Sequence, residues 1–194
     1  VSGASDLWGE FGKHHAQGQK GAQALGQEIE RIARQGGITS PVTTTRGLRA
    51  RLRYLDSPAG HRALADHGVS SRLLRAWAAG RTPSRAKLAA VDAAYWGRRR
   101  ENLVRSGALK RLLDNEGRGR RIEIYPVDQS AVPEKRKRII SQRTVTARYI
   151  WDDAVGAWAS GDLNTLDEIW DDVISDLDSD YAAYAYVESI GISA

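Results

Sequence analysis

The sequence predicts a mainly α protein with a small β-hairpin, and three observations carry that prediction. Apolar residues recur at spacings of three and four along most of the chain, as at Leu25, Ile29 and Ile32, at Leu48, Leu52 and Leu55, and from Leu163 through Leu166, Ile169, Trp170 and Val173 to Leu177. Strand-like composition is confined to two neighbouring stretches, Ile122 to Pro126 and Arg138 to Thr146. Charge is divided along the chain: residues 1–148 hold all 29 Lys and Arg against 13 Asp and Glu, whereas residues 149–194 hold 11 acids and no base. The expected order is a flexible N-terminal arm and helix over 1–37, a basic helical domain over 46–117, a basic hairpin or connector over 121–148 and an acidic, aromatic-rich helical region over 149–194.

Composition narrows the function classes. A chain of 194 residues can hold a stable core without metal or disulfide staples, and the absence of cysteine excludes thiol catalysis, disulfides and zinc-cysteine sites. No apolar run approaches the roughly 20 residues that span a bilayer, and the stretch VSGASDLWGEFGKHH lacks the apolar segment of a signal peptide. The expected setting is cytoplasmic, with no membrane partner. Net charge of +16 over residues 1–148 is the electrostatic footprint of a protein that binds a polyanion.

Taken in order, Gly9, Gly12, Gly18 and Gly21 each weaken a helix by about 1 kcal/mol relative to Ala, so a flexible arm is expected before Leu25. A helix of some three turns then runs to Gly36-Gly37. Lys13, His14, His15 and Lys20 in the arm are candidates for phosphate contact, with simple solvation the plainer reading. ITSPVTTT, residues 38–45, reads as a linker whose Thr45 caps a helix from Arg46 to Leu55. Leu48, Leu52 and Leu55 form its buried stripe, surrounded by Arg46, Arg49, Arg51 and Arg53; Arg49 and Arg53 are read as phosphate contacts.

The next stretch, HRALADHGVSSRLLRAWAAGRTP, has the order of parts of a helix-turn-helix. A short helix over Arg62 to His67 meets Gly68, which can take the positive φ of a sharp turn. Ser70 then caps a second helix, Ser71 to Ala79. Val69, Leu74 and Trp77 share its packing face; Ser71, Arg72, Arg75 and Ala79 share the other. A recognition helix needs that division, because Arg can bind guanine O6 and N7 in bidentate fashion from the major groove. Ser71, Arg72 and Arg75 are therefore the candidate base contacts. Gly80 ends the helix, and Arg81 in the polar turn that follows is a phosphate candidate.

Ser84 caps a long helix through Leu88, Val91, Ala94 and Tyr95 to about Leu103. Arg98, Arg99 and Arg100 fan around it at about 100° per residue, which suits contact with more than one phosphate. A second helix, Val104 to Leu113, follows, and the glycines of DNEGRGRR close the domain. The two β-prone stretches read as a hairpin about the basic turn Pro133-Glu134-Lys135-Arg136-Lys137, although KRKRIISQRT suits the opening of a helix equally; Lys135, Arg136, Lys137 and Arg138 read equally as a wing over a DNA minor groove or backbone and as a solvated loop. The acidic region reads as three helices, roughly Tyr149 to Ala159, Leu163 to Leu177 with Asp162 as cap, and Tyr181 to Ile190. Its tryptophans and tyrosines distinguish it from a disordered acidic tail.

Enzymatic chemistry finds no foothold. Asp176, Asp178 and Asp180 have an EF-hand beginning, but positions six and twelve are Tyr181 and Val187 where that loop needs Gly and Glu. No catalytic residue, metal site or cofactor is assigned. The expected partners are double-stranded DNA and a second copy of the chain, through residues 149–194. The alternative is a structural, self-assembling interaction protein using its basic and acidic halves. A third reading is RNA binding, for which no exposed aromatic platform is evident.

Residues 53–100, RYLDSPAGHRALADHGVSSRLLRAWAAGRTPSRAKLAAVDAAYWGRRR, resemble helix-turn-helix proteins of actinomycete mobile replicons, most of all the telomere terminal proteins of linear plasmids and chromosomes. The shared features are Arg53-Tyr54-Leu55, Gly68-Val69-Ser70 with Arg72 and Arg75, the Pro83 turn, and Trp96 followed by arginines. The resemblance covers about a quarter of the chain. It implies a DNA-binding N-terminal half, binding to replicon ends, and attachment of a first nucleotide to a protein hydroxyl, for which no Ser, Thr or Tyr here is assigned. Leu64 stands four residues before Gly68, where such motifs carry Ala, which predicts a looser contact between the helices or a turn one residue shorter.

Overall fold

The computed structural model describes residues 15–193, and these form a mainly α protein with a small antiparallel sheet. In chain order the elements begin with β1 (Gln19–Lys20), α1 (Gly21–Gln35), α2 (Thr45–Tyr54), α3 (Pro58–Asp66), α4 (Ser71–Ala78) and α5 (Arg85–Arg105). There follow α6 (Ala108–Asp114), β2 (Arg120–Pro126), β3 (Arg143–Ala147), α7 (Trp151–Ser160), α8 (Leu163–Ser175) and β4 (Tyr186–Ile192), with 3-10 turns at Glu134–Arg136 and Asp178–Tyr184. The chain folds as two compact units, one of residues 35–106 and the other joining residues 15–34 to residues 107–193.

The unit of residues 35–106 is all helical. Leu55, Leu64, Val69, Val91, Ala94 and Tyr95 form its buried core, with Leu48, Leu52, Leu73, Leu74 and Trp77 packed around them. Tyr95 contributes most: its ring meets Tyr54 edge-on at 5.1 Å and Trp96 at 4.9 Å, and its hydroxyl accepts the Ile38 N–H at 2.9 Å.

The other unit carries the sheet, in the order β1-β4-β2-β3 and antiparallel throughout. The predicted hairpin is its β2–β3 pair, with Ile122 opposite Val145, but its second strand is shorter than expected. Residues 138–142 lie outside the ladder, where the Gln129 side chain, rather than a strand, takes both backbone groups of Arg138. The ladder between β2 and β4 shifts register at Tyr125/Pro126, where proline has no N–H to donate.

Two further expectations are corrected. Tyr181 to Ile190 is not a helix: a 3-10 turn leads into β4, which lies between β1 and β2 in the sheet and whose Val187, Ile190 and Ile192 are buried. Flexibility before Leu25 is also overturned for the described residues, since Ala16, Ala22 and Ala24 are buried and α1 begins at Gly21. The helical cost of Gly21 is offset because only a glycine fits there; a Cβ would lie 1.9 Å from the Trp170 indole Nε1. Lys13 and His14 lie outside the described residues, whereas His15 is exposed and Lys20 pairs with Asp167 at 3.3 Å.

Helix bounds differ by small steps elsewhere. The long helix α5 runs two residues past Leu103, and the helix expected from Val104 begins at Ala108, because Gly107 at φ +71° separates them.

Candidate nucleic-acid interface

The helix-turn-helix is built from capped ends. Thr44, one residue before the expected cap, accepts the Gly47 N–H at 3.0 Å and starts α2. Ser57 accepts the Gly60 N–H at 3.0 Å and, with Pro58 in the first turn, starts α3 four residues before Arg62. At the far end of α3 the Gly68 N–H donates to the Ala65 carbonyl at 2.9 Å and the Val69 N–H to the Leu64 carbonyl at 2.8 Å. This is a Schellman motif, with Gly68 at φ +77° in the left-handed position. Its apolar contact is made by Leu64 and Val69, both buried, so Leu64 serves the turn it was expected to loosen. Lys87 of α5 donates to the Gly68 carbonyl and holds the turn from outside.

Ser70 then accepts the Leu73 N–H at 3.3 Å, and α4 begins. It closes with the same device: the Gly80 N–H reaches the Trp77 carbonyl at 3.0 Å and the Arg81 N–H the Ala76 carbonyl at 2.9 Å. Between these ends Leu73, Leu74 and Trp77 turn to the core, while Ser71, Arg72, Arg75 and Ala79 are exposed. Among the described residues Arg72 and Arg75 make no ion pair and no side-chain hydrogen bond. Their guanidinium groups are therefore open to an external acceptor.

Between α2 and α4 lies an open cleft of about 750 Å³, lined by Leu48, Leu52, Leu74 and Trp77 together with Arg49, Arg53 and Arg75. The fold thus brings Arg75 to one place with Arg49 and Arg53, which precede it by 26 and 22 positions in sequence. Arg49 and Arg53 are exposed and free of acidic partners among the described residues, and Arg81 is exposed beyond Gly80. The unit that holds them has 14 Lys and Arg against 4 Asp and Glu, a net of +10, whereas the rest of the chain has 15 against 20.

The run Arg98 to Arg100 is placed differently. All three are half-buried on α5: Arg98 is paired with Glu101 at 2.8 Å, Arg99 lies against Gly36, and the Arg99 Nε is buried without a hydrogen-bond partner among the described residues. None of the three lines the α2–α4 cleft.

Arg51 is the residue whose role the sequence concealed. It is 5% exposed, donates through Nε to Asp92 at 2.7 Å and through Nη1 to the Ser40 and Gly47 carbonyls at 2.7 and 3.0 Å, and stands 5.4 Å from the Tyr95 ring centre. A signal was present: Arg51 sits on the stripe of Leu48, Leu52 and Leu55, one turn from two of them.

Four aromatics of the acidic region are used inside their own unit. Trp151, Trp158, Trp170 and Tyr184 are buried, with Trp151 donating to the Ala147 carbonyl and Trp170 to the Tyr184 carbonyl. Its acids are partly neutralised there, by Lys20 on Asp167 and by Lys110 on Asp152 at 3.1 Å. Asp171 is held above its ordinary carboxyl range by burial and by the neighbouring Asp167 and Asp172. No helix among the described residues is long and apolar enough to cross a membrane.

No protein-family model, curated protein or solved structure matches this chain.

Proposed function

We propose that this chain binds double-stranded DNA by laying α4 in the major groove, with Ser71, Arg72 and Arg75 on base edges and Arg49, Arg53 and Arg81 on phosphates. The observation that carries the reading is the pair Arg72 and Arg75, exposed and unpartnered among the described residues on the outer face of a helix whose inner face is core. A surface arginine beside a carboxylate is commonly satisfied within its own fold; here the unit has few carboxylates and these two arginines use none of them. Arg98 to Arg100 enter the proposal only as a secondary phosphate contact, because their guanidinium stems are half-buried. The biological setting we propose is the one implied by the resemblance, a plasmid, phage or other mobile replicon.

The test is selection of a preferred duplex from a random pool, followed by binding to that duplex and to a scrambled one. Arg72→Ala or Arg75→Ala should cost about 1–3 kcal/mol on the preferred duplex and little on the scrambled one, while Arg49→Ala and Arg53→Ala weaken both alike. Equal losses from both kinds of substitution on both duplexes reject the assignment of α4 to base contact. Salt-sensitive polymerisation without nucleic acid is the result expected of a self-assembling structural protein instead.

Self-association through residues 149–194 is the second part of the proposal. It is supported by Tyr149 and Tyr181, which remain exposed where Trp151, Trp158, Trp170 and Tyr184 are buried. Tyr149→Ser with Tyr181→Ser should shift the full chain to monomer in sedimentation; an unchanged molecular weight rejects that surface.

A further inference from the structure

The connection from β2 to β3 holds an apolar side chain out into water by construction. Ala16, Val127 and Val132 form a small core there, and Ile140 and Tyr186 pack against it. One residue from Ile140, the Arg138 backbone is held on both sides by Gln129, whose Nε2 donates to the Arg138 carbonyl at 3.0 Å and whose Oε1 accepts the Arg138 N–H at 2.8 Å. Ile139 lies between these two anchors, and it is fully exposed, more so than any other large apolar residue described. Before it run Lys135, Arg136, Lys137 and Arg138, all exposed, with Lys137 paired to Glu134 at 2.7 Å. The arrangement is a positioned apolar tip at the end of a row of cations.

We infer that Ile139 is a DNA wedge: the basic row lies along the minor groove and Ile139 enters between two base pairs, unstacking that step and bending the duplex. The chemistry of both partners is matched, since the cations meet the phosphates that flank the groove and an aliphatic side chain replaces one base face at the opened step. A membrane surface would take several adjacent apolar side chains, and Ile139 stands alone between charged and polar neighbours, with Ser141 and Gln142 exposed beyond Ile140. The inference rests on the DNA binding proposed above and adds a second contact of a different kind, from the unit that does not carry α4.

The experiment uses the full chain and an end-labelled duplex of about 30 base pairs with a central TA step, a length and a step at which bending is easily read. Energy transfer between the duplex ends reports the bend. The wild-type chain should draw the ends together, by a bend within roughly 20–90°. Ile139→Ala should lose most of that change and Ile139→Leu should keep it, and since the side chain is in water neither variant threatens folding. Lys135→Ala with Arg136→Ala should reduce the slope of log affinity against log salt by roughly 0.9 for each phosphate released.

A wild-type chain that binds without bending, or an Ile139→Ala variant that bends as well as wild type, overturns the wedge while leaving the α4 reading in place. Arg72→Ala and Arg75→Ala variants that discriminate the two duplexes as wild type does, with an Ile139-dependent bend retained, overturn the α4 reading and support the wedge. Binding of the wild-type chain to vesicles of phosphatidylcholine with phosphatidylserine that is lost in Ile139→Ala, with no bend on DNA, overturns the wedge in favour of a lipid contact.

Discussion

Replacing Arg51 by Ala should destabilise the helical unit severely and leave its proposed DNA chemistry untouched. The guanidinium joins α2 to α5 through Asp92 and to the preceding linker through the Ser40 carbonyl. Breaking a buried ion pair from one side costs about 3–5 kcal/mol. Asp92 is 37% exposed and recovers water, so the lower end applies, about 3 kcal/mol. In a domain of roughly 60–100 residues each 1 kcal/mol moves the melting temperature by about 4–8 °C, and a fall of at least about 10 °C is expected. Arg51→Lys retains the charge on Asp92 but not the fork that also reaches the two carbonyls, and should lose about half as much. The assay is urea unfolding followed by the fluorescence of Trp77 and Trp96, repeated with Asp92→Ala and the double variant to isolate their coupling. Below its melting temperature the Ala variant should discriminate duplexes as wild type does. A loss under about 0.5 kcal/mol, the range of an ordinary surface arginine, would refute the placement of this side chain.

Gly68→Ala should cost about 1–2 kcal/mol through the left-handed backbone, since the nearest atom to the added Cβ is the mobile Lys87 Nζ at 3.3 Å. Gly68→Asn should cost less, because Asn visits that region more readily; the urea midpoint reads both. Gly21→Ala, by contrast, drives a methyl into the Trp170 indole and should cost at least 1–3 kcal/mol with a shift in tryptophan emission. Asp171 is pushed above its ordinary range by burial and by Asp167 and Asp172, so the folded chain holds that proton more tightly than the unfolded one. Its favourable contribution is complete below the unfolded pKa and lost as pH rises through the folded one. Asp171→Asn should therefore raise the melting temperature at neutral pH and confer no gain in acid below the carboxylate range, as scanning calorimetry across that span will show.

What could be read from the sequence was what short spans determine. The turn from α3 to α4 is set within seven residues by Leu64, Gly68, Val69 and Ser70, each acting on backbone groups no more than five positions away, and these residues mark the turn and the start of α4 by type alone. The start of α3, four residues before Arg62, is not marked by type, because Ser57-Pro58 suits a loop as well as it suits the cap and first turn of a helix. Arg51 was hidden for the opposite reason. Its buried role depends on Asp92, 41 residues on, and without that partner four arginines within eight residues look like one solvated face.

The same distance rule governs β4 and decides how the acidic region can be tested. Its segment YVESIGI pairs with Arg120–Pro126 and with Gln19–Lys20, so neither neighbour could suggest a strand, and the apolar spacing was compatible with a helix. Because β4 lies inside the sheet between β1 and β2, cutting away residues 149–194 removes a central strand along with α7 and α8. Such a truncation would unfold the unit whatever its role in assembly, since β2 would lose its β4 partner from Ile122 to Pro126 and the buried Trp151, Trp158 and Trp170 would go with it. Self-association through the acidic region is therefore testable only by surface substitutions that leave Trp151, Trp170 and β4 in place. Tyr149→Ser with Tyr181→Ser meets that condition, and a change in assembly without a change in melting temperature is the outcome that assigns the surface.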